Sequence, residues 1–188
     1  MSPRRAKSVT ASLSTEDRKL ARVLGELGIT RPVLTVAAMR ETDIKPQTAY
    51  ALLMKETSGG RNIFGCDWGR TGGVPPFCNE PVTEARYRAL RALGKANGVG
   101  RCQLTSFGFL DEADRNGGAW KDFPNMLVGF GLIGRLTREH GVEAGANRYN
   151  GGDSSQGERN GAAAGYGREF VQHRDHAQRV LRGRGFEV

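Results

Sequence analysis

Apolar residues recur along this chain at the spacing that places them on one face of an α-helix. The first such stripe runs from Leu20 to Leu27, follows the capping residue Ser14 and stops at Gly28. The same criteria predict further helices over residues 32–39, 46–56, 84–95, 107–115, 125–141, a short segment ending at 149, and 162–181. Asp43 is close enough to Pro46 to open the helix predicted at 46–56.

The helical pattern breaks twice, at segments rich in turn-forming residues. Residues 58–81 are punctuated by glycine and proline, which predicts a small irregular hairpin or loop insert. Residues 151–161 are rich in glycine and serine and are expected to form a loop. The predicted fold class is therefore α+β, mostly α. We expect a flexible basic arm at 1–14, one domain at 15–182 and a short tail at 183–188.

The helix predicted at 125–141 has apolar residues almost all round its circumference. A helix of this kind is usually buried. Its glycines, Gly129, Gly131 and Gly134, would allow neighbouring elements to approach closely. We therefore expect this helix to lie at the centre of the domain.

The charge of the chain indicates an anionic partner. Lysine and arginine outnumber aspartate and glutamate by 28 to 20, which gives a formal charge of +8 at pH 7. Such an excess favours nucleic acid, anionic lipid or an anionic bacterial wall, and charge alone does not choose among them. No apolar run resembles a signal peptide or reaches membrane-spanning length, so neither a leader nor membrane insertion is expected.

The three cysteines, Cys66, Cys78 and Cys102, lack the pairing and nearby histidines of a zinc site. Isolated thiols are the default expectation. A bridge between Cys66 and Cys78 is the alternative, although a reducing cytosol would keep all three cysteines reduced.

Glu56 is the most unusual residue of the pattern. It continues the buried stripe of Ala49 and Leu53 at the end of its helix. Burial and the negative end of the helix dipole would both raise a carboxyl pKa there, as a general acid requires. The competing interpretation is a structural residue paired with Lys55 or Arg61.

Three short segments connect Glu56 with other polar residues: Glu-Thr-Ser-Gly at 56–59, Gly-Arg-Cys-Gln at 100–103 and Arg-Tyr-Asn-Gly at 148–151. In this order they resemble the catalytic, cleft and Tyr-Asn segments of the lysozyme-like lytic transglycosylase family. Residues 124–126 with Gly129 also look like the start of the helix that precedes the Tyr-Asn segment there. The resemblance covers about 46–171.

The chain departs from the family pattern at several positions. Thr57 replaces the usual serine, Arg101 and Cys102 replace an apolar pair, and Arg148 replaces alanine. The insert that follows Glu56 makes the chain look like a divergent phage-type member. These departures leave the substrate subsites open.

The resemblance implies a lysozyme-like fold and a role for each matching residue. Glu56 would act as general acid and then as base. Ser58, Gln103, Tyr149 and Asn150 would bind substrate through neutral hydrogen bonds, and Tyr149 could also donate to Glu56. A hydrolase would need a second carboxylate, for which Asp67 in the following loop is the best candidate and Asp111 and Asp114 are weaker ones.

The resemblance also implies an activity and a setting. The chain would be a peptidoglycan-degrading glycosidase, either a lytic transglycosylase or a muramidase, that cuts between N-acetylmuramic acid and N-acetylglucosamine. A bacteriophage endolysin made in the host cytoplasm and released by a holin, or a lysin carried in the virion, fits a chain without a leader. We expect a monomer with no cofactor, no metal and no nucleic-acid partner. The alternative is a non-catalytic basic module that binds wall polymer or nucleic acid.

Overall fold

The structure is a computed structural model that describes residues 13–66, 76–95 and 97–188. These residues are mostly helical, as the apolar periodicity predicts. The helices of the described residues are α1 (Thr15–Glu26), α2 (Pro32–Thr42), α3 (Pro46–Thr57), α4 (Glu84–Ala92), α5 (Phe107–Arg115), α6 (Asp122–His140), α7 (Val142–Gly151), α8 (Ser155–Ala163) and α9 (Tyr166–Gly183). Within the described residues, no helix is long and apolar enough to cross a membrane.

Local signals set where the first helices begin and end. Ser14 and Asp17 form a reciprocal capping box at the start of α1, as predicted. The expected role of Asp43 is wrong: Asp43 is the left-handed residue that ends α2, and α3 begins after Lys45 without a side-chain cap. Pro46 is sufficient to start α3 because its fixed φ suits the first helical position.

Helix α6 lies at the centre of the fold and packs against α2, α3, α5 and α7. Of Gly129, Gly131 and Gly134, only Gly129 packs so closely that a larger residue would not fit. A Cβ on Gly129 would lie 2.4 Å from the Cβ of Cys102, whereas one on Gly131 would meet nothing within 4 Å. The all-round apolar pattern therefore predicts burial correctly and overstates the number of close approaches.

The segment after α3 forms isolated β-bridges rather than regular strands within the described residues. Phe64 bridges to both Cys78 and Val99, and Val99 bridges to Leu104. Phe64 is fully buried and joins this bridged layer to the core. The small irregular insert predicted after the third helix is thus present around residue 64.

The loop predicted at 151–161 is wrong, because residues 155–163 form α8. Ser154 caps the helix by accepting a hydrogen bond from the Gly157 amide at 2.9 Å. The glycines that suggested a loop instead permit contact with α7. A Cβ on Gly157 would lie 1.9 Å from the carbonyl oxygen of Gly152, and one on Gly161 would lie 2.3 Å from that of Asn147.

The structure describes the C-terminal end of the chain but only the last two residues of the predicted N-terminal arm. The arm predicted at 1–14 lies outside the described residues except for Leu13 and Ser14. At the other end, the Phe186 amide donates to the Leu181 carbonyl, and Phe186 and Val188 pack against the core. The last residues therefore contribute apolar contacts to the domain.

The cysteines do not form three isolated thiols. Cys66 and Cys78 form a disulfide, and Cys102 is a free, buried thiol. Burial raises the pKa of Cys102 far above its usual range, so this thiol stays neutral and poorly nucleophilic. The disulfide ties the end of the bridged segment that follows α3 to the strand-like residues that precede α4.

The disulfide predicts a measurable loss of stability on its removal. Cys66 and Cys78 are 12 residues apart, and a loop of this length corresponds to about 3 kcal/mol in the chain-entropy treatment. The double variant Cys66→Ser/Cys78→Ser should therefore unfold at lower urea concentration than the oxidised protein. Dithiothreitol should destabilise the wild type and leave the double variant unchanged. An oxidised wild type that releases three reactive thiols on unfolding would contradict the bridge.

Candidate functional site

Glu56 lies in the last turn of α3, at the point where a deeply buried helix reaches the surface. Ala49, Leu52 and Leu53 are fully buried, whereas Glu56 is half-buried. The helix ends at Thr57, and Ser58 follows it in a left-handed conformation with its side chain exposed. The helix thus holds the Glu56 carboxylate at the edge of the core.

A polar partner of this carboxylate comes from the start of α9. The hydroxyl of Tyr166 donates a hydrogen bond to Oε1 of Glu56. Tyr166 is only 5% exposed, and α9 packs along α3. Burial, the charge of Glu56 and this hydrogen bond raise the pKa of Tyr166 well above its usual range. The phenol therefore remains a donor throughout the neutral range and orients one carboxylate oxygen.

Tyr149 lies beside the same carboxylate but makes a different bond from the one expected. Its hydroxyl donates to the carbonyl oxygen of Cys102 at 2.6 Å, whereas the sequence suggested donation to Glu56. Burial raises the pKa of Tyr149 well above normal, with a further contribution from the nearby charge of Glu56. The donor to Glu56 is Tyr166, a residue that the sequence did not single out.

The two cations considered as partners for Glu56 make other contacts. Lys55 pairs with Glu169 and lies 5.1 Å from the centre of the Tyr166 ring. The Nε of Arg61 donates to the carbonyl oxygen of Thr57 at 3.1 Å. Lys55 therefore braces the ring of the tyrosine that binds Glu56, and Arg61 closes the end of α3.

The Gly100–Gln103 segment forms a tight turn next to this cluster. Gly100 and Gln103 have φ values of 76° and 47°, and a Cβ on Gly100 would lie 2.5 Å from the Asn125 side-chain nitrogen. Glycine is therefore required at position 100 for both conformation and space. The side-chain amide nitrogen of Gln103 donates to the carbonyl oxygens of Ile63 at 2.9 Å and Gly100 at 2.8 Å. These two bonds join the turn to the bridged segment.

A buried amide on α6 anchors that turn. The Asn125 side chain accepts from the Cys102 amide at 2.9 Å and donates to the Val99 carbonyl at 2.8 Å. Thr57 adds a second connection, because its hydroxyl donates to the Arg101 carbonyl at 3.0 Å. The turn, the end of α3 and the start of α6 are therefore held in one network, and threonine at position 57 has a structural role.

The structure brings together some of the expected site residues and leaves others aside. Glu56 and Tyr149 are close, and Gln103 lies in the adjoining turn. Ser58 and Asn150 are exposed, so their proposed contacts with a substrate stay predictions. Asp67 falls outside the described residues.

The two weaker carboxylate candidates have structural partners. Asp111 pairs with Arg91. Asp114 accepts from the Tyr87 hydroxyl at 2.7 Å and from the Ala119 amide at 2.9 Å. These partners give both acids a structural role, and the role of second carboxylate that the sequence considered for them stays a prediction. Among the described residues there is also no cluster of three or more His, Cys, Asp or Glu side chains that could hold a metal ion.

Sequence reasoning missed Tyr166 because its position depends on the packing of α9 on α3, across 110 residues of chain. Its only local signal is Gly165, a left-handed residue that precedes the helix. From the sequence alone, an aromatic residue within a predicted helix is most often interpreted as part of the core.

No protein-family model, curated protein or solved structure matches this chain.

Asn125 should be essential for stability of this network. The variant Asn125→Ala leaves the buried Cys102 backbone N–H without its partner and removes one of the two hydrogen bonds that the Val99 carbonyl accepts, the other coming from the Leu104 backbone N–H. We therefore expect a loss of about 1 to 3 kcal/mol in the free energy of unfolding. The exposed Asn160 on α8 provides the control, since Asn160→Ala should change stability by less than about 0.5 kcal/mol. Urea denaturation measures both, and equal small losses would contradict the anchoring role.

Proposed function

We propose that this protein is a peptidoglycan-cleaving glycosidase of lysozyme-like fold, with Glu56 as its general acid. The observation that carries the proposal is the position of Glu56. A half-buried carboxylate lies at the end of a core helix and is oriented by the buried Tyr166 hydroxyl. A fixed carboxyl group at the edge of an apolar core suits proton donation to a sugar oxygen.

The chemistry begins with the protonated form of Glu56. Its carboxyl group gives a proton to the glycosidic oxygen between N-acetylmuramic acid and N-acetylglucosamine as the carbon–oxygen bond breaks and positive charge develops on the sugar. The glutamate is then a carboxylate and can accept a proton. In lytic transglycosylation that proton comes from the 6-hydroxyl of the muramic acid itself, whose oxygen closes the anhydro ring.

The arrangement around Glu56 favours the route with one carboxylate. Tyr166, which donates to Glu56, and Tyr149 nearby are kept as neutral phenols by burial. Neutral donors orient a carboxylate without adding a second base. A muramidase would instead use Asp67 to activate water, and the products distinguish the two routes.

The overall charge and the disulfide support a role at the bacterial wall. The charge of +8 favours association with anionic wall polymers. The Cys66–Cys78 disulfide is typical of proteins that act in an oxidising environment rather than in the cytosol. Both features fit an endolysin that acts on the wall after holin release, or a lysin carried in a virion.

Glu56→Gln should abolish wall cleavage while the fold is retained. Loss of a general acid costs about 100-fold or more in rate, and the amide can still accept a hydrogen bond from Tyr166. Clearing of a suspension of purified bacterial walls gives the rate, and circular dichroism checks the fold. Glu41→Gln, at an exposed position of α2, is the matched control and should clear walls normally. Normal clearing by Glu56→Gln would remove Glu56 from the mechanism.

Mass spectrometry of the wall digest should show anhydro-muramic ends. This product follows if Glu56 acts as both acid and base and the sugar hydroxyl replaces water. The variant Asp67→Asn should then leave the rate nearly unchanged. Reducing muramic ends, together with inactivity of Asp67→Asn, would establish the muramidase route instead.

Tyr166→Phe should lower the turnover number about tenfold with little change in KM. The phenol contacts the catalytic carboxylate rather than substrate, and a hydrogen bond to a charged group contributes about 1.5 to 3 kcal/mol. Tyr50→Phe, a buried tyrosine on α3, is the control for loss of a hydroxyl from the core. Equal effects of the two variants on turnover would assign Tyr166 a purely structural role.

A further inference from the structure

A concave site lies at the turn that follows Gly100, on the side of the Arg101 side chain. Its volume is about 500 Å³, and its walls include the N-terminal ends of α2 and α6. Glu56, Tyr149 and Tyr166 are not among its lining residues. The pocket is therefore distinct from the cluster around Glu56, and its properties do not depend on the proposed glycosidase activity.

Positive charge is in excess in this pocket. Arg31, Arg101 and Lys121 line it, and Asp122 is the only carboxylate among its described lining residues. Asp122 is shared, because one of its oxygens lies 3.2 Å from Arg31 Nε and 3.4 Å from Arg101 Nη1. Two guanidinium groups thus share this carboxylate, Lys121 adds a third positive charge, and an added anion would be attracted.

Two helix N-termini add to this positive potential. Arg31 and Lys121 are the N-cap residues of α2 and α6, and neither supplies a side-chain cap to its helix. The first backbone N–H groups of a helix have no partner within it and carry the positive end of the helix dipole. Converging helix ends of this type bind oxyanions in many proteins.

The buried groups of the pocket carry the stronger indication of a ligand. The Arg101 side chain is 1% exposed, and its Nε has no hydrogen-bond partner among the described residues. Oδ1 of Asp122, whose side chain is 9% exposed, also has none there, but this oxygen is an acceptor and does not itself indicate an anion. Desolvation lowers the pKa of Arg101, and the charge of Asp122 opposes this only in part. A buried guanidinium with an incomplete set of acceptors is costly unless another anion compensates it.

The chain makes room for this guanidinium. A Cβ on Gly60 would lie 2.7 Å from Arg101 Nη2, so any larger residue there would displace it. The Arg101 side chain also donates to the backbone and side-chain oxygens of Thr30. The guanidinium is therefore fixed in place, and the pocket is formed before a ligand arrives.

The apolar wall indicates the size of the ligand. Leu34, Phe123 and Pro124 line the same pocket, and its volume exceeds that of a bare phosphate or carboxylate group. An occupant would therefore carry a neutral body next to its charged group.

We propose that this pocket binds a small oxyanion-bearing molecule, with its phosphate or carboxylate held by Arg31, Lys121 and the N-terminus of α6 above the buried charge of Arg101. The neutral part of the ligand lies on Leu34 and Phe123. Phosphate and carboxylate share the required chemistry, and binding measurements distinguish them.

Isothermal titration calorimetry with four probes tests the proposal: inorganic phosphate, glycerol 3-phosphate, acetate and lactate, all at constant ionic strength. We expect saturable binding of at least one probe at a Kd below about 10 mM, with the larger member of its pair binding more tightly. Binding of the phosphates alone would identify a phosphoryl ligand, and binding of the carboxylates alone would identify a carboxylate; either supports the site. Absence of saturable binding by all four probes would overturn it.

A charge-matched pair of variants separates this pocket from general attraction to a basic protein. Arg31→Gln/Lys121→Gln should weaken binding about tenfold or more, because it removes two charge-assisted contacts from exposed positions. Arg22→Gln/Arg179→Gln removes the same net charge from exposed positions outside the pocket and should bind normally. Equal weakening in both double variants would also overturn the proposal. The unfolding temperature without ligand verifies that each variant is folded.

Discussion

The arrangement of the site depends on one buried amide, that of Asn125. The turn at 100–103 has two consecutive residues, Arg101 and Cys102, that are almost fully buried. Backbone hydrogen bonds satisfy the amides of Gly100 and Gln103, and the Cys102 N–H is paired with a side chain. Asn125 supplies that side chain from the first turns of α6 and binds both the Cys102 amide and the Val99 carbonyl. Because a buried backbone group without a partner is costly, this side chain fixes the turn against the central helix.

The side chains of the anchored turn lie in two different regions, one beside Glu56 and one at the pocket of Arg101. Cys102 packs on Gly129, and its carbonyl accepts from Tyr149 beside Glu56. Arg101 lies buried in the wall of the pocket between the N-termini of α2 and α6. Thr57 connects the same turn to the end of α3 through the Arg101 carbonyl. The proposed catalytic cluster and the proposed oxyanion pocket thus share a structural support, while the residues that would contact their ligands are different.

The glycines illustrate how far sequence patterns can be taken. Gly129 is the close-packing residue that its place in an apolar helix suggests, but Gly131 in the same helix faces open space. In α8 the glycines had the opposite outcome. Gly157 and Gly161 suggested a loop, but they lie in a helix and let the backbones of α7 and α8 come into contact. A glycine signals either a flexible turn or a close approach, and the choice depends on a neighbour that can be far away in the chain.

Local sequence determined most of the helices, because apolar periodicity, the Ser14 capping box and the prolines act within a few residues. It also determined that Glu56 ends a buried stripe, since that follows from helical spacing alone. Tertiary structure alone decided which tyrosine binds Glu56, which cysteines pair, and where the buried charge of Arg101 is placed. Each of these depends on contacts between segments that are distant in the chain. The requirement that buried polar groups have hydrogen-bond partners acts on these contacts only when the helices are packed together.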